Sequence, residues 1–166
     1  MKANVARLSL FLVALTASVG AARSQNPSLH QTLRVKVNYT GAGTVDARHR
    51  IYVLLFDSNP MTAATLVDAS SQSAPPAPQN GVSHIVARQS TPSKNGIITF
   101  RNIAVTRVFA MAFYDKAGTY NGHPDSSPGS PMGIYGVMPD KLESVDLHSD
   151  KDSQIAVTFD DSKSTP

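Results

Sequence analysis

The chain has 166 residues and no cysteine, with 15 Lys and Arg against 12 Asp and Glu, a formal charge of +3. That length suits one domain with tails, and it allows a sizeable core without disulfides. Lys2, Arg7 and Arg23 all lie in residues 1–24, where no acid occurs, so the remainder holds 12 basic and 12 acidic side chains and is formally neutral; phosphate recognition needs concentrated positive charge, which argues against nucleic acid as a partner.

Residues 1–24 read as a signal peptide. Lys2 and Arg7 give a positive start, "LSLFLVALTASV" (8–19) is an apolar run, and small residues follow in "GAARSQ". Cleavage after Ala22 and cleavage after Ser24 both satisfy the small-x-small rule. The run is too short for a membrane span. Without a cysteine there is no lipid anchor, so the processed chain is expected to carry no transmembrane anchor. A cysteine-free exported chain fits a bacterial source, and the expected location is periplasmic or secreted.

Residues 25–31 read as a flexible lead-in to a domain at 32–161. "TLRVKVNYT" (32–40) alternates, with Leu33, Val35, Val37 and Tyr39 on one face, as a half-buried strand does. "RHRIYVLLFD" (48–57) is a second strand, apolar on both faces in its later half and therefore expected at the centre of its sheet. "NPMTAATLVDAS" (59–70) predicts a short helix, with Asn59 as N-cap and Pro60 at its first position. "SSQSAPPAPQNG" (70–81) is a loop.

"VSHIVARQS" (82–90) reads as an edge strand, and "NGIITFRNIA" (95–104) and "TRVFAMAFYD" (106–115) as two further strands. In the last of these the larger residues Phe109, Met111 and Phe113 are expected to face the core, with Val35, Val53, Leu55, Phe100, Val157 and Phe159. A long loop, 115–133, follows. "KLESVDLHS" (141–149) has its apolar residues out of register, the mark of a bulge. "DSQIAVTFDD" (152–161) closes the domain, and 162–166 reads as a disordered tail. The fold expected is all-β, a single antiparallel β-sandwich of about seven strands with one short helix in an inserted loop.

Little in the chain looks like chemistry. There is no G-x-S-x-G elbow and no cysteine nucleophile, and Glu143 is the only glutamate. No two histidines fall at metal-ligand spacing within one element. The loop after "FYD" offers weak metal candidates in Asp115, Asn121 and Asp125, but Ala117 and Thr119 stand where a calcium loop would place carboxylates. No cofactor is expected. Tyr120 and Tyr135 are the candidate ligand contacts. A second apolar surface is expected from Tyr52, Leu54 and Phe56 with Ala110, Ala112 and Tyr114. Either the 60–69 helix covers it, through Met61, Leu66 and Val67, or it is a docking surface.

The order "LRVKV", "IYVLLFDS", "VFAMAFYD" and "GSPMGIYG" resembles a family of bacterial exported domains of unknown function. In that family a stretch of the form YAvavfhDeNgNgklD…GiPtEpyGfS follows the central strand. The resemblance runs from about Leu33 to Phe159 and is specific only over 106–136. It implies a transthyretin-like or carboxypeptidase-regulatory-like sandwich. The family's acidic D-x-N-x-N run is replaced here by Asp115-Lys116-Ala117-Gly118-Thr119-Tyr120-Asn121, which weakens any metal role the family has. The function expected is an exported non-catalytic binding or accessory module for an envelope or extracellular component, with a protein or carbohydrate partner. The alternative is a metal-binding protein or small enzyme whose site assembles from distant strands.

Overall fold

Alternation in the first predicted strand is realised as β1 (Gln31–Tyr39), in which Leu33, Val35, Val37 and Tyr39 are buried and Arg34 and Lys36 are exposed. The computed structural model describes residues 31–72, 74, 76–122, 127–137 and 141–165; the signal-peptide reading of 1–24 and the lead-in up to residue 30 lie outside them. β1 is the middle strand of a three-stranded sheet. It pairs antiparallel with β5 (Ile97–Ile103) and parallel with β11 (Ser153–Phe159). Gln31, expected in the lead-in, is instead buried. Oriented by its surroundings, its amide donates to Ile103 O at 3.1 Å and to Val105 O.

The second sheet is built on β2 (Ile51–Phe56), which is central as its two apolar faces require. β6 (Arg107–Tyr114) pairs with one edge of β2 and β4 (Val82–Thr91) with the other, both antiparallel. β3 (Thr65–Asp68) adds to β4 in parallel. β7 (Met132–Ile134) and β10 (Ser144–Asp146) share the outer edge of β6. β8 (Gly136–Val137) and β9 (Lys141–Leu142) form a separate hairpin. Val53, Leu55, Ala110 and Ala112 of this sheet pack against Val35, Phe100, Val157 and Phe159 of the first. The chain is thus an all-β protein with its main core between two sheets.

Other expectations also need correction. The sandwich is mixed rather than purely antiparallel, because β1 with β11 and β3 with β4 run parallel. The 59–70 segment is not a helix. Its signals make one turn, in which Asn59 Oδ1 accepts from Met61 N (2.9 Å) and Asn59 O from Thr62 N (3.3 Å). Ala64 and Thr65 N–H groups then both donate to Gly81 O, and the backbone continues as β3. That pairing also removes β4 from the sheet edge. The tail is not loose over 163–165: Met132 N donates to Lys163 O (2.9 Å), and Thr165 N to Ser130 O (2.8 Å).

A further correction concerns β6. Its inward residues are Val108, Ala110, Ala112 and Tyr114. Phe109, Met111 and Phe113, expected in the main core, lie on the opposite face. The other core expectations, Val35, Val53, Leu55, Phe100, Val157 and Phe159, are buried between the sheets.

Tyr39 ties β1 to the segment after β11. It is 2% exposed, its hydroxyl donates to Asp161 Oδ1 and accepts from Gly43 N (3.2 Å), and its ring stacks on Tyr114 with centroids 5.0 Å apart. Burial and the Asp161 bond push the Tyr39 phenol up to about 12, and the same bond holds Asp161 below the usual carboxylate range.

Two outcomes follow from this packing. Phe100→Ala should cost about 3–5 kcal/mol in urea unfolding and Ala110→Leu about 1–3 kcal/mol by overpacking. Phe109→Ala, on the half-buried outer face, should cost less than Phe100→Ala; the reverse order would invert the face assignment. The second outcome is an alkaline loss. A phenol that binds its proton more tightly when folded contributes stability that is complete below its ordinary value of 10.0 and is lost as pH rises through about 12. Melting temperature should therefore fall over that window, and less steeply in Tyr39→Phe.

Candidate functional site

A sheet whose central strands are apolar on both faces must be covered twice. The second face carries Tyr52, Leu54 and Phe56 of β2 beside Phe109, Met111 and Phe113 of β6, which are directly paired: Tyr52 with Phe113, Leu54 with Met111, and Phe56 with Phe109. Directly paired residues point to the same side. The second apolar surface expected from the sequence is therefore present, but β6 contributes its large residues to it rather than Ala110, Ala112 and Tyr114.

The long loop supplies part of the cover, and Asp115 organises it. Asp115 is 1% exposed, and its N–H donates to Arg50 O (2.9 Å). Its carboxylate accepts from Gly118 N (3.0 Å), Thr119 N (3.2 Å), Tyr120 N (2.9 Å) and Ser127 Oγ (2.8 Å). Gly118 has φ of 66°, the left-handed conformation that lets the chain wrap the carboxylate. Four donors take up most of the acceptor positions of a carboxylate. Asp115 thus serves the loop's own backbone rather than presenting oxygens to an ion. Asp125 lies outside the described residues, and among those described no three His, Asp, Glu or Cys side chains gather as a metal cluster.

Tyr120 is carried by this turn onto the sheet. Its ring lies 4.5 Å from that of Tyr52 and 4.9 Å from that of Phe113, centroid to centroid. Its hydroxyl is buried; burial pushes its phenol up, and the hydrogen bonding and charge of the neighbouring Arg88 guanidinium oppose this. Tyr135 is half-buried against the main core. The two expected ligand contacts are therefore packing residues on different cores. No aromatic ring is among the exposed large hydrophobics of the described residues.

At the other end of the loop, β7 lays Met132 and Ile134 onto the same face. Gly133 permits this approach: a Cβ there would sit 2.5 Å from Phe159 Cβ. On the far side Leu66 of β3 packs onto the face, whereas Met61 and Val67, expected to help cover it, are 55% and 38% exposed. Between these covers lies a groove of about 540 Å³. Leu54, Phe56, Met111 and Phe113 form its floor, Met61 and Leu66 one wall, and Met132 with the docked tail the other.

Other polar constellations are structural. A depression of about 400 Å³ around Tyr39 and Tyr114 has its hydroxyls committed, Tyr39 to Asp161 and Tyr114 to Thr44 O (2.9 Å). His84 Nδ1 lies 2.7 Å from Asp57 Oδ2, and Asp57 Oδ1 accepts from His84 N (2.8 Å) and Ser58 Oγ (3.1 Å). This fixes the end of β2 against β4; among the described residues no hydroxyl is hydrogen-bonded to the imidazole. Sequence reasoning missed the wall residue Met132 and the docked tail. The only signal was the apolar stretch "MGI" among glycines and prolines.

Asp115→Ala should lower stability by about 1–3 kcal/mol, since it orphans buried donors. It should do so equally in EDTA and in millimolar calcium, as read by thermal melts of both chains. A calcium-dependent rise in wild type that the variant lacks would reverse this assignment.

No family model, curated protein or solved structure matches this chain, so the functional reading rests on the site itself.

Proposed function

We propose that the chain is an exported, non-catalytic binding module, and that its groove receives a small, uncharged, apolar component of the bacterial envelope or extracellular space. The observation that carries this is the incomplete cover of the second sheet face. A volume of about 540 Å³ lies within the roughly 300–1,000 Å³ usual for small-molecule sites. Its lining is apolar apart from Ser164 and Thr165, and no charged side chain lines it. A ligand bearing a carboxylate, phosphate or ammonium group would lose that group's hydration there without a counter-charge or matching hydrogen bonds. Ser164 and Thr165 stand at the wall, where a single polar end could be met. The signal-peptide reading of residues 1–24 supports export, and the resemblance to exported domains agrees with it.

The test uses N-phenyl-1-naphthylamine, an uncharged dye that fluoresces when it leaves water. Wild type should enhance its emission saturably. Leu66→Arg, at a half-exposed wall, should abolish most of the enhancement while leaving the melt cooperative. Ile97→Arg, at a 67% exposed position on the other sheet, should not. No enhancement by wild type, or equal enhancement by a folded Leu66→Arg variant, would remove the groove as a binding site.

A further inference from the structure

Five methionines occur in the chain. Met1 and Met138 lie outside the described residues, and the other three, Met61, Met111 and Met132, all line the one groove. Two of them are brought together by strand register. Phe113 pairs with Met132 and Met111 with Ile134, so Met111 and Met132 are diagonal neighbours on the same face of adjacent strands. Diagonal neighbours are within reach of each other's long side chains. Met61 faces them from the β2–β3 connection, across the floor. It is 55% exposed, so its unbranched side chain has room to swing inward.

From this convergence we propose that the groove is also a thioether site for a soft monovalent ion, Cu(I) or its redox-stable analogue Ag(I), held by the sulfurs of Met61, Met111 and Met132. The inference rests on the reading of the groove as a binding site and gives it a second ligand class. Thioether sulfur is neutral, polarisable and soft. It is a poor donor to calcium, magnesium or manganese, and thioether and thiolate are the donors that select Cu(I). With no cysteine in the chain, no thiolate competes for the ion. The hard-ion alternative has lost its ligand, because Asp115 is engaged by its own loop. A monovalent charge also suits the setting better than a divalent one. The lining offers no counter-charge, and the open side of the groove leaves the ion in contact with water.

The experiment is titration of the purified chain, labelled with ¹³C at the methionine methyl groups, with Ag(I) in chloride-free buffer. One equivalent should shift the methyl signals of Met61, Met111 and Met132 together, each assigned by its single Met→Leu substitution. Combined Met61→Leu, Met111→Leu and Met132→Leu, close in volume and therefore compatible with folding, should lose the site. The inference is overturned if the three signals stay in place, or if the triple variant binds Ag(I) as wild type does. Dye binding separates the two readings. A triple variant that still enhances N-phenyl-1-naphthylamine while wild type ignores Ag(I) refutes the thioether site and leaves the apolar groove standing. A wild type that takes Ag(I) on these methyls but never binds dye retains the thioether site and removes the apolar-ligand reading.

Discussion

The fold depends on the pairing of β2 with β6. Both strands carry apolar side chains on both faces, from Ile51 to Phe56 and from Val108 to Tyr114. Burying one large apolar side chain is worth about 1.5–3 kcal/mol, so neither face can be left to water without loss of much of the net stability of a domain. One face is covered by the sheet of β11, β1 and β5. The other is covered piecemeal, among the described residues, by Tyr120, by β7 with the tail, by Leu66 of β3 and by Leu142 of the β8–β9 hairpin.

The division of β6 between its faces is a matter of volume. Sheets pack about 10 Å apart, and their facing side chains must interdigitate without voids. The first sheet brings Leu33, Phe100 and Phe159 into that space, and Tyr39 and Tyr114 stack within it. Alanines at 110 and 112 complement these bulky neighbours. Phe109, Met111 and Phe113 are then free to build the outer layer, where the cover is made of loop rather than strand. Asp115 makes such a cover possible: backbone N–H groups folded against a sheet need acceptors, and one buried carboxylate supplies three of them.

How much of this was legible in the sequence depended on whether local pattern met a distant partner. The clean alternations of β1 and β11 were readable because one face of each is wet. In β6 the period of two was equally clear but carried no sign: with both faces apolar, nothing local says which one meets the other sheet. At 59–70 the capping signal pointed to a helix, but it closes only a single turn at Asn59. It was outweighed one turn later by Gly81 O, an acceptor 16 or 17 residues away that takes two N–H groups. The tail was misread for the same reason. Its composition of Ser, Lys and Thr offers nothing to a core, but its backbone finds the unpaired groups of Ser130 and Met132. That the loop is short of carboxylates was legible, since Ala117 and Thr119 stand among its residues; that its own donors occupy Asp115 was not. The groove was not, because its walls come from segments far apart in sequence.

That the groove lies where it does is a consequence of how loops can cover a sheet. Irregular backbone must satisfy its own polar groups, so it touches the sheet only where it has been anchored. Here the anchors are the Asp115 turn, the β7–β6 ladder and the β3–β4 ladder. Between them they leave a groove that runs between Leu66 and Met132. The floor of this groove belongs to the structural core: Leu54 and Phe56 are 1% and 0% exposed and bear on the central strand pair. The walls do not carry that burden. Met61 sits in a turn, Leu66 on an edge strand, and Ser164 and Thr165 on a segment held by backbone hydrogen bonds. Changes in what the groove accepts can therefore arise at its walls with little loss of stability, whereas changes at its floor would unsettle the sheet on which both faces depend.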